Sequence, residues 1–256
     1  CRLKLTEITC SAAISACGNS GRWQEALVIL VDTRSHRLVL DVIGETAAIS
    51  ACGSAARWQD ALRIFFDVQM RRLPPDVILA SAAIKACDAG GRWLEALRIL
   101  ADMRLCRLSP NVITYTSTIS AIEKGSQWTE ALDMFSDMRL RQLEPCAITY
   151  KTAMHAAARA HLHGVRDFFS DMRVRCIEPD TATCNAGIGA CETCSRWQEA
   201  LSMFFDMRWR GLERNDITHT AVISACEAGA RWQEALRVFS GMHSQRLEPS
   251  AITCSA

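Results

Sequence analysis

The stretch Arg22-Trp23-Gln24-Glu25-Ala26-Leu27 decides the fold, because close copies of it return along the chain. The copies begin at Arg57, Arg92, Gln127, Arg196 and Arg231. The interval is 35 residues, except between Gln127 and Arg196, where 69 residues separate two copies. Six of the seven tryptophans fall on this register. A fixed period of this size is the signature of a repeat array, in which each repeat packs against its neighbours.

The chain divides into seven full repeats when each one is counted from the residue after a Pro-Asp corner. They span 7–41, 42–76, 77–111, 112–146, 147–180, 181–215 and 216–250. Residues 1–6 and 251–256 are parts of further repeats. We therefore expect the sequence to be a fragment of a longer protein, with any targeting peptide outside it.

Each repeat carries two helical patterns. In the first half, apolar residues recur at positions 4, 8 and 11 of the repeat, which is the spacing of one helical face, and position 10 is always alanine. Glycines at or next to the middle of four repeats indicate a left-handed helix cap: Gly21, Gly91, Gly125 and Gly229. A second apolar stripe follows, and a proline ends it. We predict an all-α fold: a right-handed superhelical α-solenoid of stacked helix-turn-helix repeats, forming one array over residues 1–256.

The repeat 147–180 is irregular, since it is one residue short and lacks the tryptophan. Alignment on Met172 places Arg166 where the other repeats have a core leucine. We expect this side chain to extend into solvent, or the stack to bend locally. His161 and His163 of the same repeat are predicted to be exposed turn residues rather than metal ligands.

The cysteines follow the repeat instead of a disulfide framework. Five of the thirteen share position 11, where the two remaining repeats have Ile122 and Ala157. A position that accepts Cys, Ile or Ala is a small buried apolar site. We predict reduced core thiols and a reducing compartment. The five cysteines are Cys17, Cys52, Cys87, Cys191 and Cys226.

Composition and motifs argue against several classes of function. The 29 basic and 28 acidic residues nearly cancel, so net charge favours no partner. No apolar run approaches the ~18 residues that a membrane span needs. Cys191 and Cys194 form a C-x-x-C motif, but no second ligand pair stands at zinc spacing. We predict no enzyme activity, cofactor, metal or small-molecule substrate; any chemistry would come from another domain or a recruited enzyme.

The junctions between repeats resemble the pentatricopeptide repeat family, in its plain 35-residue form. The residues that carry the resemblance are Asn111-Val112-Ile113-Thr114-Tyr115-Thr116, Asp180-Thr181-Ala182-Thr183-Cys184-Asn185 and the Glu-Ala-Leu helix with its methionine. The resemblance implies that the array binds single-stranded RNA, one base per repeat. It also implies action on mitochondrial or chloroplast transcripts, in RNA processing, stability or translation, with RNA-processing proteins as partners.

The resemblance assigns RNA recognition to three positions of each repeat. Position 5 holds Ser11, Thr46, Ser81, Thr116, Lys151, Asn185 and Thr220. The last position holds Asp41, Asp76, Asn111, Cys146, Asp180, Asn215 and Ser250. Position 2, whose side chains enclose the base, holds Ile8, Ile43, Ile78, Ile113, Ile148, Ala182 and Ile217. Positions 5 and last stay polar while the helix faces repeat apolar residues, as hydrogen-bond recognition requires.

The family's rule relates the two polar positions to a base. Ser or Thr with Asp favours guanine, Ser or Thr with Asn favours adenine, and two Asn favour a pyrimidine. The implied RNA is, from 5′ to 3′, G-G-A-purine-any-pyrimidine-purine. Lys151 and Cys146 lie outside the rule, so the middle of this string is the least specified.

A protein-binding solenoid is the alternative, because similar superhelices bind peptides in the same groove. Nucleic-acid affinity comes largely from cations on phosphates, and the first-helix face offers few. The cations there are Lys85, Lys124 and Arg159, against Asp88, Glu123, Glu192 and Glu227. A polybasic groove in adjoining repeats would favour RNA, and an acidic or aromatic groove would favour a peptide.

Overall fold

The computed structural model describes residues 6–36, 41–71, 76–160 and 165–244, without the side chains of 165, 166, 243 and 244. Over these residues the chain forms fourteen α-helices and no strand. They are α1 (Glu7–Asn19), α2 (Trp23–Ser35), α3 (Val42–Ser54), α4 (Trp58–Met70), α5 (Val77–Ala89), α6 (Trp93–Leu105), α7 (Val112–Lys124), α8 (Trp128–Leu140), α9 (Ala147–Arg159), α10 (Val165–Val174), α11 (Thr181–Thr193), α12 (Trp197–Trp209), α13 (Asp216–Ala228) and α14 (Trp232–Ser244). The predicted all-α, helical-repeat class is confirmed.

The chain divides into two compact units, residues 1–126 and 127–256. In the first unit, α1, α3, α5 and α7 pack side by side in that order, and α2, α4 and α6 each pack against the odd-numbered helices before and after them. In the second unit, α9, α11 and α13 pack in the same way, with α8, α10, α12 and α14 as their partners. The division falls between α7 and α8, inside the predicted repeat 112–146. None of the described helices is long and apolar enough to cross a membrane.

The odd-numbered helices begin directly after the last residue of the preceding repeat. The Asp41 carboxylate accepts the Gly44 backbone N–H at 2.9 Å, at the start of α3. Such an N-cap satisfies a backbone donor that the helix leaves unpaired. Asp76, Asn111, Asp180 and Asn215 cap α5, α7, α11 and α13 in the same manner. Cys146 precedes α9 and makes no side-chain cap hydrogen bond.

The turn between the two helices of a repeat needs one left-handed residue. Gly21 and Gly91 supply it, with φ of 73° and 63°. Gly125 and Gly229 have negative φ and precede the left-handed residue, which is Ser126 or Ala230. Those two glycines are therefore required for another reason than backbone conformation.

That reason is the recurring tryptophan, which packs against the following repeat. A Cβ atom on Gly90 would lie 2.3 Å from Cδ1 of Trp58, so only glycine leaves room for the ring. The Arg92 guanidinium lies 4.5 Å from the centre of the same ring, within cation–π distance. Glycine contacts tryptophan likewise at Gly125–Trp93 and Gly229–Trp197, and arginine does so at Arg57–Trp23 and Arg231–Trp197. The Arg-Trp stretch thus fixes how one repeat stacks on the next.

The predicted core cysteines are free thiols within the part of the chain that is described. Cys52, Cys87, Cys191 and Cys226 are buried, and burial raises the pKa of the Cys87 thiol to about 12. Cys17 is only half-buried, so the prediction of full burial is wrong there. The reason is local: α1 packs against α2 and α3, and no described helix covers its other side.

In the irregular repeat, aromatic side chains of α10 pack against the neighbouring helices α8 and α11. The Phe168 ring lies edge-on to Phe135 of α8, with ring centres 5.5 Å apart. A Cβ atom on Gly187 of α11 would lie 2.4 Å from Cε2 of Phe169. These contacts hold the ten-residue helix α10 in place. The predicted behaviour of His161, His163 and the Arg166 side chain falls outside the described residues.

Candidate functional site

Position 2 presents an exposed apolar side chain in almost every repeat. The six isoleucines there are between 60% and 80% exposed. Single exposed apolar residues are ordinary, but the core has no use for one residue type repeated at a solvent-facing position. The isoleucines therefore suit contact with a flat apolar ligand surface. They are Ile8, Ile43, Ile78 and Ile113 in the first unit and Ile148 and Ile217 in the second; Ala182 is also exposed.

Positions 5 and last of one repeat are here called its recognition pair, and the last residue lies at the start of the next odd-numbered helix. In the first repeat the contact is direct. The Ser11 hydroxyl donates to Oδ1 of Asp41 at 2.8 Å, although 30 residues separate them. The same oxygen accepts the Gly44 N–H, so Oδ2 of the exposed Asp41 remains as a further acceptor.

In the third repeat, a residue that the sequence analysis did not select joins the recognition pair. The buried Thr114 hydroxyl lies 2.8 Å from Oγ of Ser81 and 2.9 Å from Oδ1 of Asn111. The Thr114 backbone N–H also donates to that amide oxygen, at 3.0 Å. Ser81 donates its own proton to the Val77 carbonyl at 2.7 Å.

The sixth repeat shows the same bridge in the second unit. The buried Thr218 hydroxyl lies 2.7 Å from Oδ1 of Asn185 and 2.9 Å from Oδ1 of Asn215. The Thr218 N–H donates to Asn215 Oδ1 at 3.0 Å. Both amide oxygens therefore point at one threonine, and both amide NH₂ groups point away from it.

The second recognition pair is not joined in this way. Thr46 donates to the Val42 carbonyl at 2.7 Å, and Asp76 accepts the Ile78 N–H at 3.3 Å. Leu79 occupies the place that a threonine holds in the bridged pairs, and it offers no hydroxyl. Within the described residues, no hydrogen bond connects Thr46 with Asp76.

The remaining predicted site residues lie in the fourth, fifth and seventh repeats. Thr116 of the first unit donates to the Val112 carbonyl, and Cys146 of the second unit lies 3.2 Å from the Thr149 hydroxyl. Lys151 is half-buried, and its charge is felt by Asp180. Thr220 is half-buried, and Ser250 lies outside the described residues.

Asp180 is held as an anion by its cap. Hydrogen bonds from the Thr183 hydroxyl and backbone N–H lower the pKa of this carboxyl, and Lys151 contributes a smaller electrostatic effect in the same direction. The backbone N–H bond measures 2.7 Å. An ionised carboxylate at the last position can only accept hydrogen bonds.

The first-helix face is poor in free positive charge. Lys124 is paired with Asp88 at 2.8 Å, and Arg159 lies against the Trp128 ring at 5.8 Å. Lys85 is exposed. Burial, followed by the neighbouring Glu227 charge, raises the pKa of Glu192. This face therefore offers mainly hydrogen-bonding and apolar side chains and few free cations.

The bridging threonines carry a sequence signal that could have been found. Position 3 is threonine in five of the seven repeats: Thr9, Thr114, Thr149, Thr183 and Thr218.

Among the described residues, no group of His, Cys, Asp and Glu could hold a metal ion. Burial raises the pKa of Cys191, in the C-x-x-C motif, to about 12, so its thiol stays protonated.

Three related family models match most of the chain. The model described as "PPR repeat family" matches residues 110–159, and the "Pentatricopeptide repeat domain" matches 63–125 and 202–256. The "PPR repeat" model matches 8–37 and 182–212. No curated protein sequence matches the chain significantly.

Two solved structures share the fold. One is the pentatricopeptide repeat protein PPR10 of maize, in complex with an 18-nt psaJ RNA element, with a TM-score of 0.62 and 21% identity over 97% of this chain. This chain covers 40% of that protein. The other is the PPR domain of Arabidopsis thaliana protein-only RNase P 1 in complex with tRNA, with a TM-score of 0.59 and 14% identity. That match covers 67% of this chain and 91% of the domain.

Proposed function

The chain belongs to the pentatricopeptide repeat family, and on this basis we propose that it binds single-stranded RNA, with each repeat recognising one base. The proposal rests mainly on the recognition pairs. Residues 30 apart in sequence, Ser11 and Asp41, meet beside an exposed isoleucine at the start of a helix. The arrangement suits a base edge, which needs both hydrogen-bonding groups and an apolar face beside them.

The hydrogen bonds of the first, third and sixth recognition pairs support the bases given by the family's rule. Asp41 presents a carboxylate oxygen, which suits the adjacent N1–H and N2–H donors of guanine. Ser81 keeps a free oxygen lone pair beside the Asn111 NH₂ group, which suits the N6–H donor and N1 acceptor of adenine. Asn185 and Asn215 present two NH₂ groups, which suit the acceptor oxygens of a pyrimidine. We propose the order G-G-A-purine-any-pyrimidine-purine, from 5′ to 3′.

We further propose that the RNA is a mitochondrial or chloroplast transcript, and that binding contributes to its processing, stability or translation. Proteins that process RNA would be the partners in this role. The solved relatives in complex with RNA support the ligand class, and the family resemblance supports the organelle. The proposed RNA recognition assigns no catalytic residue to the repeats.

Filter binding with the proposed heptamer sequence tests the function. We expect binding of the single strand, no binding of the same sequence in a duplex, and a shallow dependence of affinity on salt, because few groove cations are free. A scrambled single strand is the control for base recognition. Equal affinity for duplex and single strand would contradict base recognition, and no binding of either would favour the protein-binding alternative.

A further inference from the structure

We propose that Thr114 and Thr218 are positioning residues for base recognition, each acting on the recognition pair of the preceding repeat. The inference rests on the proposed RNA binding. Neither threonine needs to touch the base, since both are fully buried. Each would act by fixing which atoms of its recognition pair remain available to the base.

Proton counting shows how Thr218 does this. Its hydroxyl has one proton and lies near two amide oxygens, those of Asn185 and Asn215. The Asn215 oxygen already receives the Thr218 backbone N–H, so the hydroxyl proton serves Asn185 at the shorter distance of 2.7 Å. Both oxygens are thereby occupied. Each amide is prevented from turning over, and its NH₂ group stays directed away from the helix.

Thr114 distributes its two donors in the same order. Its N–H serves the Asn111 oxygen at 3.0 Å, and its hydroxyl lies between that oxygen at 2.9 Å and Oγ of Ser81 at 2.8 Å. Because Ser81 gives its own proton to Val77, we assign the Thr114 proton to Ser81. Ser81 gives its own proton to Val77, so it can accept a second donor but has none to offer the base. The bridge therefore makes Ser81 an acceptor and Asn111 a donor.

Repeats with another residue at this position behave differently. With Gly44, Ser11 donates its proton directly to Asp41, and with Leu79 the pair Thr46 and Asp76 is not joined. The fifth residue thus accepts a proton from the protein in the bridged pairs and donates one in the direct pair. Position 3 of the following repeat accordingly becomes a third determinant of base preference.

The test substitutes valine, which keeps the shape of threonine and removes the hydroxyl. Thr114→Val should weaken discrimination at the third base only, and Thr218→Val at the sixth base only. A single net hydrogen bond corresponds to a loss of roughly 2-fold to 12-fold in the preference ratio. Thr114→Ser and Thr218→Ser keep the hydroxyl and should restore the ratio. Competition between heptamers that differ at one base measures it for every variant.

Thr118→Val is the matched control. Thr118 is fully buried one turn further along α7, and its hydroxyl donates to the Thr114 carbonyl at 2.8 Å. It should leave the preference at every base unchanged. A uniform loss of affinity over all bases in the Thr114→Val and Thr218→Val proteins would overturn the positioning role, as would unchanged ratios. A wild-type protein without preference at any base would instead refute the proposed function itself.

Discussion

The direct pair Ser11–Asp41 of the first unit and the bridged pair Asn185–Asn215 of the second occupy the same positions of their repeats. In the direct pair, the fifth residue gives its proton to the last residue. In the bridged pair, both residues receive their hydrogen bonds from Thr218. Positions 5 and last alone do not define which donors and acceptors a base meets. The residue at position 3 of the following repeat decides the direction of the hydrogen bonds.

The largest effect is expected in the direct pair, where a charge is involved. Asp41→Asn keeps the Ser11 contact and the helix cap but replaces the outward acceptor with an NH₂ donor. The first-base preference should change from guanine to adenine, by about 1–3 kcal/mol, because hydrogen bonds to charged groups are the stronger ones. Competition between heptamers that differ at the first base measures the change. Asp76→Asn is the control and should act at the second base only; a first-base preference that stays with guanine would contradict the model.

The bridged pair should respond more weakly than the direct pair, at the low end of the same range. Asn185→Thr leaves a hydroxyl beside Thr218 and Asn215, which resembles the Ser81–Thr114–Asn111 arrangement. The sixth-base preference should move from pyrimidine to adenine by about 1 kcal/mol, the low end for a base-edge contact, since Ala182 offers less surface than isoleucine. The same competition assay, at the sixth base, measures it. If the folded variant still selects a pyrimidine, the array does not follow the family's rule.

A third prediction concerns the helix that lacks the cap found in both pairs. Cys146→Asp should supply the missing acceptor at the start of α9 and place a negative charge at the positive end of the helix. We expect a gain of about 1 kcal/mol in the free energy of unfolding. Urea unfolding measures it, and Cys146→Ala controls for loss of the thiol. A gain in the alanine variant of equal size would show that capping is not the cause.

The smallest expected effect is on the pH dependence of stability, which should differ between helices capped by Asp and helices capped by Asn. The folded-state pKa of Asp180 is lowered, so its contribution to stability is present above the unfolded pKa and is lost as pH falls below about 4. Asp180→Asn should remove this part of the acid sensitivity, and Asn215→Asp should add a corresponding part at α13. The urea midpoint at pH 7 and at pH 3 measures both. Identical acid sensitivity in the three proteins would contradict the assignment.

Sequence reasoning succeeds where the residue type itself repeats. The period predicts two helices per repeat, and the polar positions 5 and last are visible because their neighbours are apolar. It fails at Thr114 and Thr218, since threonine at the third position of a helix is explained equally well by a capping box. Only the distances to Ser81 and Asn185, in the preceding repeat, distinguish the two roles.

The sequence pattern also did not predict the buried carboxylate of Glu45. Position 4 follows an apolar pattern, yet Glu45 is fully buried there and pairs with Arg34 at 3.1 Å and with Arg71 at 3.5 Å. Burial is the main cause of its raised pKa. Its partners come from another helix and from a turn, and a periodic pattern within one helix cannot show them.

The N-cap geometry has a consequence for how such arrays change over time or by design. Asp41 and Asn215 each end one repeat's recognition pair and start the next repeat's helix. A substitution there that abolishes capping costs stability as well as altering base choice. The residue types at the last position are therefore mainly those with a short side chain and an acceptor oxygen, such as Asp, Asn and Ser. Position 5 starts no helix, and Lys151 shows that it tolerates a wider choice. New specificities should arise more freely at position 5 than at the last position, where folding and recognition depend on the same side chain.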